Sequence, residues 1–268
     1  MRKEILFILL TTVLFAMLIN SCDEKKADVK IEEQKSEVKV SEGKLAFAGL
    51  IWTIKKDSSL IQKNINPAFV DENGFLHLKI IKQNSVWMGC EITSDSSFGF
   101  GNFVFYTASR LDLLDKNAIL SLRGVNPNAL KSGDLEELGI RFSYWGSSDN
   151  KNSLQFYAKS FNTESDETKY HYPPEPLKMN GDWSTFAFLV NKEEFKFFGY
   201  HDHGFPTNYL IDNYSVNMQN AEKSEIPFST PGNKTVVKMT LGLCEGQQPS
   251  NQKDIEIIIK KFEFIPIK

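Results

Sequence analysis

Glu137-Leu138-Gly139-Ile140-Arg141-Phe142-Ser143-Tyr144-Trp145-Gly146 opens with strict alternation of side-chain character. Leu138, Ile140 and Phe142 fall on one side of an extended chain; Glu137, Gly139 and Arg141 fall on the other. One apolar face and one outward face is the pattern of a strand in an antiparallel sheet. The same period recurs on both sides of this stretch: in Leu76, Leu78 and Ile80; in Phe186, Phe188 and Val190; in Val237, Met239, Leu241 and Leu243; and in Ile255, Ile257 and Ile259. Turn-forming clusters separate these segments: Glu72-Asn73-Gly74, Gly146-Ser147-Ser148-Asp149-Asn150, Asn180-Gly181-Asp182 and Pro231-Gly232-Asn233. No segment after residue 45 sustains a helical period, and no internal repeat is present. The expectation is one all-β domain over residues 45–268, built as two stacked antiparallel sheets.

Composition agrees with a filled core. Of 268 residues, 41% are hydrophobic and 24% charged, and 21 are Phe. That excludes a disordered chain and a polytopic membrane protein. The balance of 31 Lys+Arg against 34 Asp+Glu gives a net charge of −3, with no basic cluster to draw nucleic acid. Three Cys are too few for a small disulfide-held scaffold.

The amino terminus reads as an address. Arg2 and Lys3 precede the apolar run Ile5 to Ile19, broken only by Thr11 and Thr12, which is short for a membrane span and suits a signal-peptide core. The run ends in Leu18-Ile19-Asn20-Ser21-Cys22, which resembles a bacterial lipoprotein processing site, although Asn20 is not the usual small residue. On that resemblance residues 1–21 are a signal peptide and Cys22 is the lipidated first residue of the mature chain. An ordinary signal peptide, or an uncleaved anchor with an incidental Cys, is the alternative. Loss of residues 1–21 removes Arg2, Lys3 and Glu4, a net +1, and leaves the remainder at −4. Residues 22–44 then form a charged tether: Asp23 to Lys44 holds seven acids and six bases, with too few apolar residues to bury a face. The localisation expected is the bacterial cell envelope, with the domain held at a membrane through its N-terminal lipid only.

Ser96-Ser97-Phe98-Gly99-Phe100-Gly101-Asn102-Phe103 resembles the S-x-x-x-G-Y-G-x-F/Y signature of glycoside hydrolase family 16. The opening stretch from Glu137 is similar to that family's E-I-D-I-E-F-S-R-W-G. Val70 to Leu78 resembles its early strand, Ile226-Pro227 with Pro231-Gly232 its late loop, and Ile255 through Pro266 its closing strand. The resemblance spans residues 45–268. It implies a concanavalin A-like lectin/glucanase fold, a two-sheet antiparallel β-jelly roll, with a polysaccharide or other glycan as partner and no cofactor. A structural calcium ion, held in some relatives by backbone oxygens, is not readable from sequence.

In the family motif the first Glu is the nucleophile and the last Glu the acid/base, with an Asp between them. Alternate positions of a strand share a face, so all three line the cleft. Retaining chemistry needs the two carboxyl groups about 5–5.5 Å apart. Here Glu137 matches the nucleophile, Gly139 stands at the Asp position, and Arg141 at the acid/base position. A guanidinium with a pKa above about 12 neither gives nor takes a proton near neutrality, and losing that role alone is typically a factor of about 10²–10⁴ in rate. Glu136 faces the other way. Whether Glu91, Asp149 or Glu245 lies within reach of Glu137 is left open by sequence. Starting the motif at Glu136 would place Leu138 and Ile140 in the cleft and bury Arg141, so parity rejects it. Two further departures are expected at cleft positions: Val104 and Tyr106 after the Gly-Phe-Gly stretch, and Gly242 where relatives carry a Trp.

Arg141 pairs with Glu137 along the strand, or its planar fork donates to an acidic or hydroxyl-rich glycan. Gly139, Arg141 and Trp145 are the candidate ligand-binding positions, and Trp145 is the favoured sugar platform among Trp52, Trp87, Trp145 and Trp183. His201-Asp202-His203 has two-His spacing but no evident third ligand, so no metal is expected. His77 and His171 read as isolated. Cys90 and Cys244 sit on expected strands, as free buried thiols or as a pair. The expectation is an envelope lipoprotein with a catalytically impaired, glycan-binding domain. The alternatives are an active endo-glycosidase on a β-glucan or galactan, and a structural or adhesive envelope protein. Replacing Gly139 with Asp and Arg141 with Glu is expected to restore some turnover if the cleft admits sugar.

Overall fold

The computed structural model describes residues 43–55, 66–127, 135–160, 168–206, 208, 210–217 and 235–267. The expected signal peptide, Cys22 and nearly all of the expected tether lie outside the described residues, as does the late loop around Ile226 and Pro231. The first strand opens at Lys44, the last residue assigned to the tether.

Sixteen strands are found among the described residues. The first eight are β1 (Lys44–Phe47), β2 (Leu50–Lys55), β3 (Ala68–Val70), β4 (Leu76–Gln83), β5 (Val86–Met88), β6 (Cys90–Phe98), β7 (Gly101–Ala108) and β8 (Ala118–Val125). The rest are β9 (Leu135–Ser143), β10 (Leu154–Ser160), β11 (Thr168–His171), β12 (Trp183–Val190), β13 (Glu194–His201), β14 (Leu210–Asn217), β15 (Thr235–Leu243) and β16 (Ile255–Pro266). They form two antiparallel sheets. One runs β1-β2-β6-β15-β8-β9-β10-β11; the other runs β14-β13-β12-β7-β16-β4-β3, with β5 paired to β4.

The period-two residues meet between the sheets. Leu76, Leu78, Ile80, Ile140, Phe142, Phe186, Phe188, Val237, Met239 and Leu241 are fully buried. Aromatic pairs join the two layers: Phe142 meets Phe186 edge-on at 4.7 Å, Phe156 stacks on Phe197 at 5.3 Å, and Trp52 meets Phe262 at 5.6 Å. Each fully buried Phe contributes roughly 1.5–3 kcal/mol of transfer free energy, so this seam dominates the fold. The closing strand keeps its inward face through Ile257 and Ile259, then shifts register between Ile259 and Lys261, so that Phe262 returns to the core. That is a β-bulge, which alternation alone does not predict.

The Gly-Phe-Gly stretch is the crossing between sheets, with β6 in one and β7 in the other. A side chain at Gly101 would come within 2.5 Å of the Ile265 carbonyl oxygen and of the Phe264 ring, so the strand pairing demands glycine there. This crossing corrects one expectation. Val104 and Tyr106 lie on β7, on the outer side of the sheet opposite β9, and do not share the face of Glu137. Tyr106 donates to Glu263 at 3.0 Å, and burial together with that carboxylate pushes its phenol up to about 12.

His77 and His171 are not isolated. His77 stacks on Phe69 at 4.6 Å and its Nδ1 lies 2.8 Å from Glu256. His171 Nε2 lies 2.8 Å from Asp212, and its ring stacks on Tyr214 at 4.5 Å, which ties the edge strand β11 of one sheet to the edge strand β14 of the other. Cys90 and Cys244 are free buried thiols, and burial pushes the Cys90 thiol up to about 12.

Candidate functional site

The outer face of the first sheet is laid out by strand register. On β8, β9 and β10 the rows are Val125, Glu137 and Lys159; then Arg123, Gly139 and Tyr157; then Ser121, Arg141 and Gln155. Glu91 and Thr240 continue the face on β6 and β15. Glu137, Gly139 and Arg141 therefore share one face, as their alternation requires.

Gly139 shapes the centre. A Cβ there would stand 2.9 Å from the Arg123 Cβ, the Leu122 carbonyl oxygen and the Tyr157 hydroxyl alike. With no side chain in the way, Arg123 and Tyr157 lean over the glycine from both sides and converge on Glu137. Arg123 Nη1 donates to Glu137 Oε2 at 2.9 Å, and the Tyr157 hydroxyl donates to Oε1. Arg123 Nη2 also donates to Glu91 at 2.6 Å. Burial works against the charge of Arg123, but Glu137, Tyr157 and Glu91 outweigh it and hold the guanidinium charged. The Tyr157 phenol is fully enclosed; burial, then the Glu137 charge, raise its pKa.

Arg141 is only loosely committed to Glu137, with 3.9 Å between Nη2 and Oε1. Its Nε donates to Ser121 at a long 3.4 Å. Its guanidinium lies 4.2 Å from the centre of the Tyr157 ring and 5.3 Å from that of Trp145. Trp145 follows β9 with a left-handed backbone, φ 53°, and is 41% exposed. Tyr170 and Tyr172 are also exposed: Tyr170 lies 6.2 Å from its cross-strand partner Tyr157 and 6.1 Å from Tyr172. Tyr144 points away and donates to the Asp112 carbonyl. Gln155, cross-strand from Arg141, is wholly buried, and among the described residues neither of its amide atoms has a hydrogen-bond partner. Such an amide is costly unless something polar meets it.

Of the three carboxylates left open by sequence, the structure brings Glu91 to the site. Asp149 lies exposed in the loop after β9, and Glu245 exposed in the turn after β15. Glu91 is separated from Glu137 by the guanidinium they share. Burial pushes its carboxyl up, but Lys238, Arg123 and Lys55 with the Thr240 hydroxyl outweigh that and hold it below the usual carboxylate range. Gly242 has open space above it. Arg123, Tyr157, Tyr170, Tyr172 and Gln155 were not singled out by sequence. Their signal is the pairing register of β8 and β10 with β9, and of β11 with β10, which no local pattern contains.

His201 and His203 do not form a metal pair. The His203 ring is stacked on Trp183 at 4.8 Å and its Nε2 meets the Thr107 carbonyl at 2.8 Å. Among the described residues no group of three or more His, Cys, Asp and Glu is placed to hold a metal. Trp52 is core, donating to the Phe47 carbonyl. Trp183 is exposed at the start of β12, with Lys260 4.5 Å from its ring.

No family profile matches the chain, and no curated protein matches it in sequence. Solved structures do match. A Bacteroides ovatus mixed-linkage glucan family 16 protein in complex with a G4G4G3G product aligns with a TM-score of 0.59 at 9% identity, over 80% of this chain and 94% of that one. The Bacillus licheniformis β-glucanase aligns at 0.53 and 13% identity, over 85% and 94%. A family 16 glycosyl hydrolase from Mycobacterium smegmatis aligns at 0.55 and 17% identity, over 82% and 91%. At such low identity the likeness is one of architecture, and in architecture the domain is a glycoside hydrolase family 16-like β-jelly roll.

Proposed function

We propose that the chain is an envelope lipoprotein whose family 16-like domain binds a glycan on the outer face of β8–β11 and does not hydrolyse it. The observation behind this reading is the state of Glu137. Both of its oxygens are occupied, one by Arg123 and one by Tyr157. A covalent glycosyl ester at Glu137 would discharge the carboxylate and break this part-buried ion pair, and removing one partner of such a pair costs about 3–5 kcal/mol. The position that should supply and recover the proton is Arg141, whose side chain has donors and no acceptor. Glu91 cannot take over the proton role while it shares the same arginine.

Binding is supported by what the face presents. Trp145, Tyr170 and Tyr172 offer exposed rings of the amphipathic kind suited to the flat faces of sugars. Arg141 lies 5.3 Å from the centre of the Trp145 ring with donors for hydroxyl groups. The matched Bacteroides ovatus protein holds an oligosaccharide product on the same architecture. The anchor rests on the Cys22 processing pattern. The test uses the full chain in detergent, incubated with lichenan, laminarin and agar. Retention on a glycan without release of reducing ends is expected. Reducing ends formed at an ordinary enzymatic pace, with contaminating hydrolases excluded by mass spectrometry, would establish the endo-glycosidase instead. Neither retention nor turnover on these glycans or on acidic ones would leave a structural or adhesive role.

A further inference from the structure

We propose that the glycan taken by this face is an acidic one, bearing carboxylate or sulfate groups; the inference rests on the glycan-binding reading above and names its ligand class. The chain as a whole is acidic, at −3. The centre of this face is the reverse. Among the described residues, the ion-pair partners of the two carboxylates Glu91 and Glu137 are Arg123, Arg141, Lys55 and Lys238, an excess of two positive charges. Only Arg123 is in close contact with both acids. Lys238 and Lys55 approach Glu91 no nearer than 3.7 and 3.8 Å, and Arg141 stands 3.9 Å from Glu137. Among the described residues, three of the four cations are therefore incompletely paired within the site.

Arg141 is the recognition group. Its plane is steadied between Tyr157 and Trp145, while its long contacts to Ser121 and Glu137 leave its terminal donors weakly used. A guanidinium so oriented suits a two-oxygen anion, to which it donates two parallel hydrogen bonds. A neutral glycan would satisfy donors with hydroxyls but would leave the charge excess uncompensated under a ligand that excludes water, where unpaired charge is costly. The adjacent aromatic rings supply the ring-stacking surface, so one sugar face and one anionic substituent are met side by side.

The experiment is affinity electrophoresis of the full chain in detergent through gels containing polygalacturonate, carrageenan or lichenan, at several salt concentrations. Retardation by polygalacturonate or carrageenan is expected at least tenfold stronger than by lichenan, weakening steeply with salt. Arg141→Gln should lose at least tenfold of that retardation, with Arg141→Lys intermediate, while Lys196→Gln on the opposite sheet leaves it unchanged. Thermal melts establish that each variant is folded, and Lys238→Gln provides the same comparison should Arg141→Gln unfold. Equal or stronger retardation by lichenan would overturn the acidic class and leave glycan binding intact. Equal losses in Arg141→Gln and Lys196→Gln would mark mere polyelectrolyte attraction and also overturn it. No retardation in any gel would overturn the glycan reading itself.

Discussion

Arg123 on β8 donates to Glu137 on β9 at 2.9 Å, passing over the bare backbone of Gly139. The carboxylate at the centre of the face is thus held from the neighbouring strand, and Arg141, on its own strand, is the lesser partner at 3.9 Å. The glycine and the arginine are one arrangement: the side chain absent at 139 is what lets the cation reach its anion.

Arg123 bridges two part-buried carboxylates, so its removal should cost more than neutralising either acid. Arg123→Met leaves Glu91 and Glu137 without their shared cation, and a loss of about 3 kcal/mol in folding stability is expected. Glu137→Gln preserves shape and keeps Arg123 paired to Glu91; about 1 kcal/mol is expected. Urea unfolding of both variants measures the difference, and equal losses would show that Arg123 is not the hub.

The space at Gly139 argues against the expectation that Asp at 139 with Glu at 141 restores some turnover if the cleft admits sugar. A Cβ at 139 meets three atoms at 2.9 Å, one of them the backbone oxygen of Leu122, which cannot swing aside. Gly139→Asp should destabilise by about 1–3 kcal/mol through overpacking, lowering the melting temperature by roughly 2–12 °C for a domain of this size. Gly139→Ala should lose stability in the same direction. A thermal melt showing no loss for either variant would mean that β8 and β10 yield more readily than their register implies.

How much was legible in advance follows from which contacts are local. Alternation placed Leu138, Ile140 and Phe142 inward and Glu137, Gly139 and Arg141 outward, because side-chain direction on a strand is set within a few residues. The two-sheet architecture followed from repeated alternation. The partners of Glu137 did not, since Arg123 and Tyr157 lie 14 and 20 residues away and meet it only through sheet register. Val104 was misplaced for the same reason: the chain crosses between sheets at Gly101, so resemblance along the sequence did not reveal which face β7 presents. His171 reads as isolated in sequence because Asp212 belongs to an edge strand of the other sheet.

Glu91 should make stability depend on acid. Its carboxyl is held below the ordinary 4.5 in the folded state, burial being outweighed by Lys238, Arg123 and Lys55. A carboxylate with a depressed folded pKa stabilises fully above its unfolded value, and that contribution is lost as pH falls through the folded value. Stability should therefore drop progressively below about pH 4.5. Glu91→Gln should be less stable at pH 7 but show a shallower acid limb. Parallel pH–stability curves for the two proteins would mean that Glu91 contributes nothing to the slope.

Arg141→Glu tests whether the acid/base position alone separates this face from a working one. If the proton role were the sole deficit, returning a carboxylate would recover a factor of about 10²–10⁴ in rate. The structure argues otherwise. Glu137 would still be held by Arg123 and Tyr157, whose charge-assisted contacts lower its nucleophilicity and do not involve residue 141. The new carboxylate would also lose the ring contacts with Tyr157 and Trp145 that orient the native guanidinium. The expected result is a folded variant whose release of reducing ends from lichenan stays within tenfold of the parent background. A gain of a hundredfold or more would show that the Arg123–Glu137 pair opens readily under substrate, and that a single side chain, not the whole row, keeps the face from turning over.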